Sequence, residues 1–284
     1  MIGQKELLYM FNDMVVTNSF PRFTIIEGVD GSGKDMMVRE IKWMMKCEMA
    51  EMSNAVDSVR DAMTQAYKTT LPMLFYFRNA DTMSQAARNA LLKVTEEPPN
   101  NAYFILTVIN SDSLTDTIKS RANIFHMQSY TSYELNEYLA KYDDGFSKKV
   151  ACWVCETPGE IELLYANGAE KLYDFVEKVM NNVAEVSISN AMKIADSIAF
   201  SDTDENKFDL ALFWKAVIHY YCNELTEKIK DISVEELRAK ARIVMSTKEC
   251  VNMITTSKNI NKRNVFDIWI LDVRKILGES DGSN

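Results

Sequence analysis

Histidine and cysteine are scarce in this sequence, which limits the metal chemistry that it can support. Two histidines, His126 and His219, and five scattered cysteines occur among 284 residues. Cys152 and Cys155 form one C-x-x-C pair, but a structural zinc site needs about four ligands and no second pair exists. We therefore expect reduced thiols packed between helices, with no zinc or other metal site and no disulfide framework.

The sequence also lacks a long apolar run and a leader pattern. No stretch reaches the about 18 consecutive apolar residues that cross a bilayer, and the opening MIGQKELLYMF has no basic region followed by an apolar block. Glycine and proline are few, at 9 and 5 residues, and the apolar fraction of 47% is typical of a soluble globular protein. We expect a cytoplasmic protein without a membrane partner.

A surplus of positive charge is missing as well. Lys and Arg total 32 against 41 Asp and Glu, which gives a net charge of -9 and a pI near 5.0. This balance argues against a broad, nonspecific grip on nucleic acid. The balance does not exclude contact with DNA through a local patch, or as one member of a larger ring.

Strand and helix patterns alternate in the first half of the chain. Short β-rich runs at 22–28, 71–77, 102–109 and 124–130 are separated by segments with helical periodicity, among them 34–52 and 83–97. Ser84 is the expected N-cap of the second helix. Alternating strands and helices predict a parallel sheet covered by helices on both faces.

The β-rich pattern ends near residue 132, and apolar residues then recur at helical spacing to the end of the chain. We predict an α/β domain over 1–131, a small helical lid over 132–173 and an all-α domain over 174–284.

One loop between a strand and a helix has the spacing of a phosphate-binding P-loop. The stretch GVDGSGKD places three glycines where backbone N–H groups can surround a phosphate, and its lysine where it can reach the β and γ phosphates. The last position is Asp35, where the motif has the Ser or Thr that ligates Mg²⁺. The loop therefore predicts binding of ATP or ADP, with or without Mg²⁺, or a relic loop kept for packing. The predicted nucleotide-binding residues are Gly28, Gly31, Ser32, Gly33, Lys34 and Asp35.

The acidic pair that a P-loop ATPase needs after a later strand is degenerate. In LFYFRNAD, Arg78 and Asn79 stand where an Asp holds Mg²⁺ and a Glu polarises the attacking water. Arg78 cannot ligate a metal and Asn79 cannot take a proton. We predict that the chain does not hydrolyse ATP at a useful rate. The alternative is an active ATPase in which Asp35 and Asp81 rebuild a metal site.

The segment NADTMSQAARNALLKVTEEPPNNAYFILTV, followed by DTIKSRANIF, resembles the centre of AAA+ DNA clamp-loader subunits. Among them it is most similar to the delta-prime type of DNA polymerase III. The opening IGQKELLYMF and the late NINKRNVFDIWILDVRKIL extend the resemblance over nearly the whole chain. The resemblance implies that 1–131 is an AAA+ P-loop domain and that 174–284 is a helical collar domain for oligomerisation. The segment after the P-loop is too short for a four-cysteine zinc module, as in compact loaders of phages, eukaryotes or archaea.

The resemblance implies that Arg121, in the Ser-Arg-Ala element at 120–122, is an arginine finger that acts on the ATP of a neighbouring subunit. The alternative is that Arg121 forms an ordinary salt bridge. Asn110 falls at the place of the first sensor. The family's second sensor is an arginine that contacts the γ-phosphate of its own subunit. This sequence has Glu160, Ile161 and Glu162 at that place, which also implies a subunit that does not hydrolyse ATP.

The partners that the resemblance implies are other clamp-loader ATPase subunits in a hetero-pentamer, a sliding clamp and primer–template DNA. Arg60 and Arg88 fall at positions that can face DNA, although both can equally be solvated helix charges. The methionine-rich 43–52 segment is the candidate clamp contact, with core packing as its alternative. A nucleotide-binding scaffold outside replication remains the further functional alternative.

Overall fold

A computed structural model describes residues 2–142, 145–183, 190, 209–228, 232–256 and 260–281. The chain forms two compact units, Met1–Glu134 and Leu135–Asn284. The first ends close to the predicted end of the α/β domain. The division between lid and collar at 173/174 stays a prediction. This position lies within one helix, Ala169–Asn182.

The first unit is built on a five-stranded parallel sheet with strand order β2-β3-β4-β1-β5. This confirms the predicted parallel α/β fold. The strands are β1 Phe23–Glu27, β2 Glu48–Met52, β3 Met73–Phe77, β4 Ala102–Val108 and β5 Asn123–His126. The helices are α1 Lys5–Val16, α2 Lys34–Met45, α3 Val56–Ala66, α4 Gln85–Glu96 and α5 Asp116–Lys119.

Successive strand residues point to opposite faces of the sheet and enter two separate cores. Ile25 and Phe75 pack with residues of α3, α4 and α5 on one face, whereas Ile26 and Leu74 pack with residues of α1 and α2 on the other. All seven residues of β4 are buried, as expected for a central strand covered on both sides. The predicted N-cap is present, since Ser84 Oγ accepts a hydrogen bond from the Ala87 N–H at 3.2 Å.

The prediction of one helix across 34–52 is wrong in its second half. α2 ends at Met45, and Lys46 adopts a left-handed conformation with φ 48°. Glu48–Met52 then forms the edge strand β2, whose five residues pair in register with β3. Pairing with a buried neighbour thus overrides the helical preference of its Glu, Met and Ala residues.

The second unit is helical throughout the residues that the structure describes. Trp214 and Trp269 are fully buried with Phe213 and Phe266, and the Trp269 Nε1–H donates to Thr247 Oγ1 at 2.9 Å. None of the helices described combines the length and apolarity needed to cross a membrane. The helices that lie within or extend into this unit are α6 Ser132–Leu139, α7 Gly145–Val154, α8 Pro158–Asn167, α9 Ala169–Asn182, α10 Leu210–Lys228, α11 Val234–Thr256 and α12 Lys262–Asp281.

Candidate functional site

The predicted site residues follow the carboxyl ends of neighbouring strands. The loop from Gly28 follows β1, Arg78 and Asn79 follow β3, and Asn110 comes shortly after β4. Because all strands run parallel, these ends lie along one edge of the sheet. Open α/β sheets bind their ligands at this edge.

The P-loop has the backbone that its glycines predict. Gly31 and Gly33 have φ of 77° and 89°, and Gly33 is the N-cap of α2. A Cβ on Gly28 would lie 2.7 Å from Met127 Cβ and 2.8 Å from Ser32 Oγ, so a side chain there would displace its neighbours. The Tyr130 hydroxyl donates to the Ser32 carbonyl at 2.8 Å, which fastens the loop to the chain after β5.

The side chain of Lys34 is folded onto its own loop. Its ammonium group donates to the carbonyl oxygens of Gly28 at 2.5 Å and Val29 at 2.9 Å, and lies 3.9 Å from the Asp30 carboxylate. Only 6% of Lys34 is exposed. The Ser32 hydroxyl is buried with no hydrogen-bond partner among the described residues. A phosphate in this loop would therefore have to displace the lysine from its carbonyl partners.

Asp35 and Arg78 are in direct contact. The distance from Asp35 Oδ2 to Arg78 Nη2 is 2.9 Å, and the buried Tyr76 hydroxyl donates to Asp35 Oδ1. Burial and this hydrogen bond to a carboxylate raise the pKa of Tyr76 to about 12, so the phenol keeps its proton. Both oxygens of Asp35 are thus bonded to neighbouring side chains.

These residues do not fit a bound Mg²⁺. A guanidinium has no lone pair to donate to a metal, and it lies against the carboxylate that stands at the place of the motif's Mg²⁺-binding hydroxyl. Within the described ranges, no group of three or more His, Cys, Asp or Glu side chains is placed to hold a metal ion. Asp81, the other acid of the alternative metal site, is buried in the short 3₁₀ helix Ala80–Thr82.

The turn after β3 is held by residues that the sequence did not point to. Asn79 is left-handed with φ 51°, and its backbone N–H donates to Thr107 Oγ1 at 3.1 Å. The Asn54 amide donates to the carbonyl oxygens of Arg78 and Asn79, both at 2.9 Å. Asn79 is therefore placed by its backbone, and its side chain offers no base for a water molecule.

The side chain of Asn110 makes a local turn. Its Oδ1 accepts the backbone N–H of Asp112 at 2.9 Å, as an Asx turn does. The neighbouring Ser111 N–H donates to Glu27 Oε2 at 3.0 Å, which ties the end of β4 to the end of β1. Sequence reasoning did not single out Glu27.

Arg121 is held at the surface of the first unit by two contacts. Its Nη1 donates to the Thr117 carbonyl at 2.8 Å, and its Nη2 donates to Glu96 Oε1 at 3.0 Å. The side chain is 36% exposed. A guanidinium has five N–H donors, and the other three have no partner within the described ranges. Arg121 can therefore still bind an anion while it keeps both contacts.

The two arginines predicted at DNA-facing positions differ in their surroundings. Arg60 is 67% exposed and lies 3.4 Å from Asp57 on its own helix. Arg88 donates to the carbonyl oxygens of Ser113 at 2.6 Å and Asp81 at 3.0 Å. Arg60 is therefore largely exposed on α3, whereas Arg88 holds two turns of the first unit together.

The predicted second-sensor segment begins α8 in the second unit. Glu160 accepts from Lys215 at 2.7 Å, Ile161 is fully buried, and Glu162 pairs with Lys141 at 2.5 Å. The hydrogen bonds from Lys141 and Tyr138 lower the pKa of Glu162 to about 2. These acids are bonded within their own unit.

Residues 59–131 match the family model described as DNA polymerase III, delta subunit. The chain is 39% identical to DNA polymerase III subunit delta' of Haemophilus influenzae over 75 residues, which cover 25% of this chain and 23% of that protein. It is 21% identical to DNA polymerase III subunit tau of Bacillus subtilis over 267 residues, which cover 83% of this chain and 44% of that protein. The chain thus spans less than half the length of these relatives.

Among solved structures, a DNA polymerase III gamma subunit-related protein of Thermotoga maritima is similar with a TM-score of 0.54 at 16% identity. The match covers 94% of this chain and 98% of that one, and it shows a shared fold. The chain therefore has an α/β P-loop fold with a helical second unit, and it resembles the delta', gamma and tau subunits of DNA polymerase III.

Proposed function

We propose that the chain is a delta-prime-like clamp-loader subunit that does not hydrolyse ATP and supplies Arg121 to the ATP site of a neighbouring subunit. The observation that carries the proposal is the set of contacts made by Arg121 together with its exposure to solvent. It is tethered by two contacts and exposed, and three of its N–H groups have no partner within the described ranges. A guanidinium held in this way can stabilise the charge that develops on a transferred phosphoryl group.

The contacts around the chain's own P-loop support the proposal that it does not hydrolyse ATP. Hydrolysis in a P-loop ATPase needs a metal ion at the β and γ phosphates and a residue that orients the attacking water. Arg78 and Asn79 supply neither, and Asp35 is bonded to Arg78 and Tyr76. An active ATPase built on Asp35 and Asp81 would require the Arg78 guanidinium, which lies 2.9 Å from Asp35 Oδ2, to make room for a metal ion.

The partners follow from the role. The proposed complex contains ATPase subunits in a hetero-pentamer, a sliding clamp and primer–template DNA, with Arg60 as a phosphate contact. Trp43 on α2 is 75% exposed at the start of the methionine-rich segment, which is the candidate surface for the clamp. ATP or ADP at the chain's own loop is not required for any of these contacts.

The test is the ATP turnover of the complex reconstituted with its partner subunits, clamp and primed DNA. We expect Arg121→Ala to lower stimulated turnover by roughly tenfold. This is less than the about 10³–10⁵ that an arginine finger contributes at the single site it serves, and more than the loss of one independent site would give, because we propose that the sites of one complex turn over in a linked order. Assembly, measured by gel filtration, is expected to be unchanged.

Lys93→Ala is the matched control, since it removes an exposed positive charge from α4. Normal turnover with Arg121→Ala would contradict the finger role. Turnover by the isolated chain would instead favour the active ATPase.

A further inference from the structure

The two positions that a P-loop ATPase uses to hold Mg²⁺ are bonded to each other in this protein. In a working ATPase the last residue of the loop offers a hydroxyl and the residue after the later strand offers a carboxylate, and both ligate the metal ion. Here these positions are Asp35 and Arg78, whose charged atoms lie 2.9 Å apart.

The signs of the two charges explain why no metal ion is needed between them. The loop position has gained a negative charge and the strand position has exchanged a negative charge for a positive one. The guanidinium therefore neutralises the carboxylate that would otherwise repel a nucleotide's phosphates. Either substitution alone would leave an unbalanced charge beside the loop, whereas together they balance.

Tyr76 fixes the carboxylate in place. Its hydroxyl is buried under the loop and donates to Asp35 Oδ1, and its ring belongs to the core beneath α2. One oxygen of Asp35 therefore faces Tyr76 and the other faces Arg78. No oxygen of Asp35 is left without a strong donor.

We propose that the Asp35–Arg78 ion pair replaces the metal ion of this site, so that Mg²⁺ does not strengthen nucleotide binding to the chain's own loop. The two substitutions act as one unit: the loss of metal binding is reversed when both are exchanged together. This inference concerns the chain's own loop and does not depend on whether Arg121 serves a neighbour.

The experiment compares ATP binding to the isolated full chain in Mg²⁺ and in EDTA by isothermal titration calorimetry. For the wild type we expect the two affinities to agree within about twofold, or both to lie below detection. The exchange variant, Asp35→Thr with Arg78→Asp, restores a hydroxyl and a carboxylate. We expect it to bind ATP at least about tenfold more tightly in Mg²⁺ than in EDTA.

The control variant combines Asp35→Thr with Arg238→Asp, which has the same composition and net charge as the exchange variant but keeps Arg78. Arg238 is an exposed residue of α11. We expect no effect of Mg²⁺ on this control. Circular dichroism and thermal unfolding verify that each variant is folded.

Two results would overturn the inference. Tighter ATP binding by the wild type in Mg²⁺ would mean that the metal ion enters despite the ion pair. A folded exchange variant that shows no effect of Mg²⁺ would mean that some other feature of the loop excludes the metal.

Discussion

The guanidinium of Arg121 lies 3.0 Å from a carboxylate oxygen of Glu96, and this contact joins the last residue of α4 to the turn after α5. The side chain of Glu96 is 57% exposed, so the ion pair contributes little to the stability of the fold. Its effect is to restrict the directions in which Arg121 can point. Glu96 is a positioning residue if Arg121 acts on a neighbour's nucleotide.

Glu96→Ala is therefore expected to lower the kcat of the reconstituted complex by about threefold to tenfold, because the guanidinium loses one of its two tethers. The KM for ATP is expected to be unchanged, since Glu96 bonds to Arg121 and not to nucleotide. Glu96→Gln keeps an oxygen that accepts the same hydrogen bond and should restore most of the rate. Steady-state ATPase kinetics measure both constants.

Glu97→Ala is the control for Glu96, as it removes the same charge from the adjacent exposed position. A normal kcat with Glu96→Ala, together with a low kcat for Arg121→Ala, contradicts only the positioning role. Normal rates with both variants contradict the proposed function itself.

Tyr76→Phe is expected to lower the free energy of unfolding by about 1 kcal/mol, because Asp35 loses a buried hydrogen-bond donor. Urea denaturation measures the change. Tyr67→Phe is the control, since the Tyr67 hydroxyl is exposed and bonds weakly to the Glu97 carbonyl at 3.4 Å. Equal stabilities of the wild type and Tyr76→Phe would mean that the phenol contributes nothing to the loop.

The same residue predicts a response to alkaline pH. The pKa of Tyr76 is raised from the ordinary value of 10.0 to about 12, first by burial and then by the hydrogen bond to Asp35. The unfolded chain therefore releases this proton first, and stability falls as the pH rises from about 10 towards 12. Tyr76→Phe removes that part of the loss, so the difference in stability between the two proteins should shrink over this range.

Arg88→Ala is expected to destabilise the first unit by about 2 kcal/mol, because two carbonyl oxygens lose a charged donor. Arg60→Ala should change the unfolding free energy by less than about 0.5 kcal/mol, since Arg60 is exposed and its ion pair with Asp57 is weak. Urea denaturation of the isolated chain measures the unfolding free energy of both variants. An effect of Arg88→Ala as small as that of Arg60→Ala would leave Arg88 available for DNA.

The cysteines are expected to differ in reactivity at pH 8. Cys152 and Cys222 are exposed, whereas burial raises the pKa of Cys155 to about 12 and that of Cys250 to about 11. Because the thiolate is the reactive form, iodoacetamide should modify Cys152 and Cys222 first, and the others only after unfolding. Peptide mass spectrometry identifies the sites. Early modification of Cys155 would contradict its burial.

The sequence predicts the parts of the site that depend on local spacing. Gly31, Gly33 and Lys34 follow from the loop pattern, and Ser84 follows from the capping pattern. The contact between Asp35 and Arg78 does not, because it depends on β3 and the start of α2 coming together across the sheet. Both substitutions were visible as separate departures, but only the fold brings them into one ion pair.

Other features escaped prediction for related reasons. β2 carries residues with helical preference and is a strand because it pairs with β3. Tyr76 lies in an apolar strand, and the sequence pattern of that strand does not show that the Tyr76 hydroxyl lies under the loop. Glu96 was part of a family-like segment, but its partner Arg121 lies on a separate element. Long-range packing decides each of these cases.

The order of the strands has a consequence during protein synthesis. β1 lies between β4 and β5, with Phe23 beside Phe104 and Thr24 beside Asn123, so both of its neighbours are translated long after it. At about 5–20 residues per second, the apolar β1 leaves the ribosome several seconds before either partner exists. Until β4 emerges, β1 is a segment that the nascent chain exposes to chaperones.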